Sequence, residues 1–203
     1  MEPELKGLID DIINLYLTYI DADTLKEFMY GLIGEHYNKG IDAGEVNFNM
    51  NFVPDYRTIS FIQKYAFDNV TKVTADMKDN LRKEMSIGLM NGESIPQLKL
   101  RIVDVMDTTL QRAEMISRTE TVRAFNMGHN QTAKDSGLVL MKEWSAQPER
   151  ISKAGNFVPC PSCESMNGQR IGMNEKFKAE NGEEYLLPPA HPHCACRVIY
   201  IQK

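Results

Sequence analysis

Cys160-Pro161-Ser162-Cys163 and His191-Pro192-His193-Cys194-Ala195-Cys196 are the two stretches on which the reading of this chain turns. They hold all 4 cysteines of a 203-residue sequence. Two thiolates at C-x-x-C spacing can face one Zn²⁺ at about 2.3 Å while turn N–H groups support the sulfurs. The second stretch offers the other half-site. Cys194 and Cys196 project to the same side of an extended segment, because side chains there repeat every second residue. His191 with Cys194 is an alternative H-x-x-C pair, and His193 points away from Cys194. The candidate metal ligands are therefore Cys160, Cys163, His191, Cys194 and Cys196, with the choice of four left open. Two disulfides, or four thiols packed together, are the competing reading. The start, MEPELKGLIDDIINLYLTYI, is broken by Asp10 and Asp11 and lacks the basic region and cleavage site of an export signal. Cysteines that are not exported are expected to stay reduced, which puts zinc ahead of disulfides. A site closed by four protein ligands is structural, since catalytic zinc keeps a position for water.

Working outward, the first half reads as helices. Leu5, Leu8, Ile9, Ile12, Leu15, Tyr16 and Tyr19 form one apolar stripe over residues 4–20. Asp21 or Asp23 can cap a second helix that buries Leu25, Phe28, Met29, Leu32 and Ile33 and stops at Gly40. Residues 41–54 show no clean period and read as an ordered loop or short strand. A long helix over 55–90 follows, capped by Asp55 and ended by Asn91-Gly92. Ser94-Ile-Pro-Gln97 has the capping-box pattern and opens a further helix, and Asp107 or Thr108 caps another over 109–135. After Gly137 the period changes. Residues 138–144 suit a strand, and 169–173, 183–187 and 197–202 are further strand candidates among many turns. The expected class is α+β: a helical region over 1–92, then a small zinc-stapled α+β domain over 93–203.

The composition is that of an ordinary globular protein, 42% apolar and 25% charged, with a net charge of −5. Residues 1–100 carry net −6 and residues 101–203 carry net +1. An acidic chain with no basic stripe does not fit a protein that coats nucleic acid. No apolar run reaches the length of about 18 residues that a membrane span needs.

The last 90 or so residues resemble the phage head-morphogenesis proteins, the Mu F-like minor capsid family. The resemblance rests on Arg112-Ala-Glu-Met-Ile-Ser-Arg118-Thr119-Glu120-Thr-Val-Arg123-Ala-Phe-Asn126 on a helix and Trp144 in a strand. It continues through the Cys160/Cys163 pair with Asn167-Gly168, and closes on Pro188-Pro189-Ala-His191-Pro192-His193-Cys194-Ala195-Cys196. The sequence departs from the family after Trp144, where residues 151–158 look like an insertion, and at Ala195, where Arg is usual. The resemblance implies a non-enzymatic minor capsid protein of the virion or prohead, assembled in the host cytoplasm and active in head morphogenesis at the portal vertex and in DNA retention or delivery. Its implied partners are the portal protein and other head proteins, with weak contact to packaged DNA and no small-molecule substrate.

Arg118, Glu120 and Arg123 fall within two turns of one helix. By residue type alone they read as a solvated face with an i,i+3 pair worth about 0.2–0.5 kcal/mol. The resemblance instead implies a buried polar network joining the helix to the zinc-bearing part. Two other function classes compete. An Arg/Thr/Glu set is similar to that of ADP-ribosyltransferases, but consecutive helical residues diverge, and no G-x-G-x-x-G, P-loop or H-E-x-x-H is present. A zinc-ribbon-like nucleic-acid module is the other. His36 and His129 read as incidental helical histidines, Trp144 as core, and methionines such as Met77 and Met85 as gap-fillers.

Overall fold

A computed structural model describes residues 22–148, 150–151 and 157–202. The expected helix over 4–20 lies outside the described residues. Three long helices, α1 (Ala22–Phe48), α2 (Tyr56–Met90) and α3 (Ile95–Asp135), precede strands β1 (Leu140–Ser145), β2 (Arg150–Ile151) and β3 (Phe157–Val158). A short helix α4 (Pro161–Met166) and strands β4 (Arg170–Gly172), β5 (Phe177–Lys178), β6 (Glu184–Tyr185) and β7 (Arg197–Gln202) complete the chain. The class is α+β. The chain divides into two compact units, Met1–Met29 with Phe67–Glu114 and Tyr30–Ala66 with Met115–Lys203.

In the first unit, α2 and α3 meet through Met77, Leu81, Met85 and Val105, flanked by Leu89, Leu98, Ile102 and Met106. The turn at 91–94 is fully specified by its residues. Gly92 adopts φ +69°. Its N–H reaches Leu89 O at 3.1 Å and the Glu93 N–H reaches Gly88 O at 2.9 Å, the Schellman pattern that satisfies the last carbonyls of α2. Gln97 Oε1 accepts from Ser94 N at 2.8 Å, the returning half of a capping box. Arg101 then binds both carboxylate oxygens of Glu93 at 2.7 Å and Glu84 at 2.5 Å. The 92/93 boundary expected from sequence thus coincides with a turn inside this unit.

Two helix ends expected from sequence are overruled. Gly40 does not stop α1, which runs on to Phe48 through residues expected to be loop. Gly40, Gly44 and Gly128 are instead where α1 and α3 cross. A Cβ at Gly40 would lie 2.2 Å from Phe125 O, at Gly44 1.8 Å from Thr132 Oγ1, and at Gly128 2.2 Å from Tyr37 O. Gly40, which reads locally as a breaker, is here a close approach of two backbones, as is Gly128, while Gly44 makes room for the Thr132 side chain. Likewise Asp107 and Thr108 cap nothing, because α3 is one continuous helix of 41 residues. Thr108 and Thr109 hydroxyls bond back to the carbonyls of Asp104 and Val105 at 2.9 and 2.8 Å, which lets both sit inside a helix.

In the second unit an antiparallel sheet, ordered β4-β1-β7, carries the core. Strand β1 pairs with β7 from Leu140↔Gln202 to Ser145↔Arg197. Leu140, Lys142 and Trp144 alternate inward, as do Val198 and Tyr200. They pack with Met166, Phe177, Ala179 and Ala133 around Cys163, Cys194 and Cys196. Trp144 lies at 0% exposure, edge-on to Phe177. Two short ribbons, β2-β3 and β5-β6, complete the unit. The strand candidates at 138–144, 169–173, 183–187 and 197–202 all find counterparts, while β2, β3 and β5 are too short to leave a period.

Candidate metal centre

Helix α4 begins at the first cysteine. Cys160 is its N-cap, Pro161 sits at the first helical position, and the Cys163 N–H donates to Cys160 Sγ at 3.3 Å. The capping role usually filled by an oxygen is filled here by sulfur. The same turn sets both sulfurs on one side. The second stretch reaches them through a turn in which Cys194 N donates to His191 O at 3.2 Å and His193 takes φ +65°.

Five donors converge. His191 Nε2 lies 2.9 Å from Cys160 Sγ and 3.1 Å from Cys163 Sγ, and Cys163 Sγ lies 3.8 Å from Cys194 Sγ. They form two triads, Cys160–Cys163–His191 and Cys163–Cys194–Cys196, with donor atoms within 4.8 Å of one another in each. Cys163 belongs to both. Its hydrogen bonds to Cys194 and Cys196, together with burial, push its thiol up. The hydrogen bonds from Cys163 and Cys196 hold Cys194 down. Thiols this close share protons as a set.

The donor set fits a thiophilic divalent ion. Sulfurs at about 2.3 Å from a tetrahedral centre stand about 3.8 Å apart, the spacing of Cys163 and Cys194. His191 Nε2, at 2.9 and 3.1 Å from its two sulfurs, is closer than the roughly 3.5 Å of such a centre and must move outward to admit an ion. His191 is oriented for the same task. Its Nδ1 meets Pro192 O at 2.7 Å, and a carbonyl can only accept, so the ring proton sits on Nδ1. Nε2 then turns a lone pair toward two sulfurs, the orientation that an outer carbonyl imposes on a ligating imidazole. His193, exposed and outside both triads, takes no part.

The helix α3 holds this segment, but not through the expected residues. Glu120 and Arg123 do pair, Nε to Oε2 at 2.9 Å, with the carboxylate buried and Arg123 over the Tyr65 ring. Burial raises the Glu120 carboxyl, and Arg123 offsets part of that. Arg118 is exposed and stands apart from the pair. Positions 118 and 120 are about 200° apart around a helix, whereas 120 and 123 share a face. The link to the segment carrying His191, Cys194 and Cys196 runs through Thr119, Asn126 and Asn130. Thr119 Oγ1 accepts from His193 N at 3.1 Å. Asn126, 1% exposed, donates to Cys196 O and accepts from Val198 N, both at 3.1 Å. Asn130 Oδ1 accepts from the Tyr200 hydroxyl at 3.0 Å. Thr119 and Asn126 were quoted from sequence only as part of the helix motif, and Asn130 was not singled out. Their signal was there: positions 119, 126 and 130 form one stripe of uncharged polar residues on the helix.

Two further buried groups stand out: His129, read from sequence as an incidental helical histidine, and Lys142, which drew no reading of its own. His129 sits among Phe48, Phe125 and Tyr200, with Nε2 3.0 Å from Asn47 Nδ2, and burial lowers it to about 4. Lys142, fully buried, donates to Leu186 O at 2.9 Å over the Phe177 ring, and burial lowers it to about 8.

Comparison with known proteins gives the context for this arrangement. The family model described as Phage Mu protein F like protein matches residues 79–199. The chain is 27% identical over 135 residues to minor head protein GP7 of Bacillus phage SPP1, an alignment covering 62% of this chain and 41% of that protein. The chain thus spans about two fifths of the length of that relative. No solved structure matches it.

Proposed function

The chain belongs to the Phage Mu protein F like family, and from that premise we propose that it is a minor head protein acting in head morphogenesis at the portal vertex. It is a component of the virion or prohead, and its partners are the portal protein and other head proteins. Its role is structural and not enzymatic. The observation that carries this reading is the family match together with its likeness to the SPP1 minor head protein. No helix of the described residues is long and apolar enough to cross a membrane. Contact with packaged DNA is weak in this reading, because cations such as Arg123, Arg170 and Lys178 stand beside carboxylates. Co-purification of the chain with portal protein from assembling heads tests the proposal. Heads that contain portal but lack this chain would contradict it.

In the same reading the cysteine–histidine cluster holds one structural zinc. Four of Cys160, Cys163, His191, Cys194 and Cys196 supply the ligands, with Cys163 the donor common to both triads. The ion supplies a cross-link between the start of α4 and the segment leading into β7. A small core has little apolar area of its own, and such a cross-link contributes folding free energy directly. The residues of α3 then act around it: Asn126 fixes the backbone on either side of Arg197, and Thr119 fixes the turn at His193.

A further inference from the structure

A pocket lined by His36 and Lys39 of α1, Thr121, Val122, Phe125 and Asn126 of α3, and Ala195 and Arg197 around the start of β7 opens on the side of the cysteine-bearing segment. It encloses about 340 Å³, within the range of small ligand sites. It is built on fixed backbone. Asn126, at its base, is held by Val122 O, Cys196 O and Val198 N, and Gly40 brings α1 into contact with α3 at Phe125 O. Every ionisable side chain in the lining is basic. Lys39 carries Glu35 with it at 2.6 Å. Arg197 has no ion-pair partner among the described residues. Its guanidinium lies over the Phe125 ring, 5.2 Å from the centroid. A cation over a ring face is held there by the ring quadrupole, an attraction that uses none of its N–H donors in an ion pair. Arg118, exposed and likewise without an ion-pair partner among the described residues, lies one turn before Thr121 and Val122 on the same face of α3.

We propose that this pocket binds an acidic peptide segment of a partner protein. Its carboxylates meet Arg197 and Arg118, and an apolar side chain rests on Val122 and Phe125. A guanidinium in the lining, with a second one turn away along α3, beside an apolar floor suits carboxylates next to a hydrophobic residue. A nucleic-acid backbone is the weaker match. Duplex DNA presents charge continuously along its axis and needs a track of cations. Beyond this pocket Arg123, Arg170 and Lys178 each stand within ion-pair distance of Glu120, Glu143 and Glu184. The proposal accounts for Arg118, which makes no ion pair among the described residues.

Fluorescence anisotropy of a labelled Asp-Glu-Phe-Asp-Glu-Leu peptide against the full chain tests it, beside the Asn/Gln counterpart and a short labelled duplex. The expected result is saturable binding of the acidic peptide alone, weakened by salt. Arg197→Ala should reduce affinity by about tenfold, as loss of a charged hydrogen bond does, and Arg118→Ala by somewhat less. Circular dichroism of each variant reports its fold, and if Arg197→Ala unfolds, Arg118→Ala carries the test. No binding of the acidic peptide, equal binding of the neutral one, tighter binding of the duplex, or unchanged affinity in folded variants would each overturn the proposal.

Discussion

Residues 67–114 and residues 115–202 hold their structure by different means. In the first stretch, Met77, Leu81 and Met85 recur at helical spacing and meet Val105 across a turn that Gly92, Ser94 and Gln97 specify locally. In the second, Trp144, Cys163, Phe177 and Cys196 share one core although strands β2, β3, β5 and β6 are each only two residues long. Ribbons that short are marginal on their own. The hairpin is secured by propensity and capping. The strand-bearing part depends on long-range fixtures: the cysteine–histidine cluster and the polar stripe of α3.

That difference can be broken by single substitutions. The largest effect belongs to Cys163→Ser, which removes the donor shared by both triads. Structural zinc binding supplies on the order of 10 kcal/mol, so with the proposed zinc in place this variant should lose the ion and the near-ultraviolet circular dichroism of Trp144. Far-ultraviolet helix signal should largely survive. Simultaneous loss of both signals would mean that the two stretches do not differ as described.

Asn126→Ala comes next. It strips partners from Cys196 O and Val198 N inside the core and should cost about 1–3 kcal/mol by chemical denaturation. Metal affinity, read by chelator competition, should fall about 10–100-fold, as for other groups that orient ligands. Unchanged affinity would remove α3 from the account of the metal centre.

His129 sharpens the comparison through pH. Its folded value, about 4, lies below the ordinary 6.5 because of burial. The unfolded chain therefore binds more protons between these values, and stability present above pH 6.5 is lost as pH falls toward 4. The slope attributable to this residue is at most about 1.4 kcal/mol per pH unit. His129→Gln should flatten it, and an equal slope in both proteins would refute the assignment. The smallest effect is expected in the hairpin. Gly92→Ala places a side chain at φ +69° and should cost about 1 kcal/mol without touching metal content.

The same contrast explains what was legible in the sequence. The helix over 55–90, its Asn91-Gly92 ending and the Ser94 capping box are local, and each is found where its residues put it. The strand around Trp144 was legible from its β-branched and aromatic content, and it pairs with the candidate at 197–202. The five donors announced themselves by spacing. What failed was whatever one element means to another. Gly40 read as a stop because its partner, the backbone of Phe125, is remote in sequence. Asp107 and Thr108 read as caps because the sequence does not show that a helix continues through them. Arg118, Glu120 and Arg123 drew attention by charge, yet the groups that grip β7 are neutral: Asn126 through the Cys196 and Val198 backbone, Asn130 through the Tyr200 hydroxyl. Neutral polar residues on a helix carry little signal until the strand they satisfy is in place.

The central claim is that a metal ion holds the strand-bearing part together while the hairpin stands without it. Elemental analysis of the purified chain, followed by chelator titration monitored by Trp144 near-ultraviolet dichroism and by far-ultraviolet helix signal, tests it most directly. The account predicts about one zinc per chain and loss of the Trp144 signal as the ion is withdrawn, with most helix retained. A metal-free chain that keeps the Trp144 signal intact would contradict it.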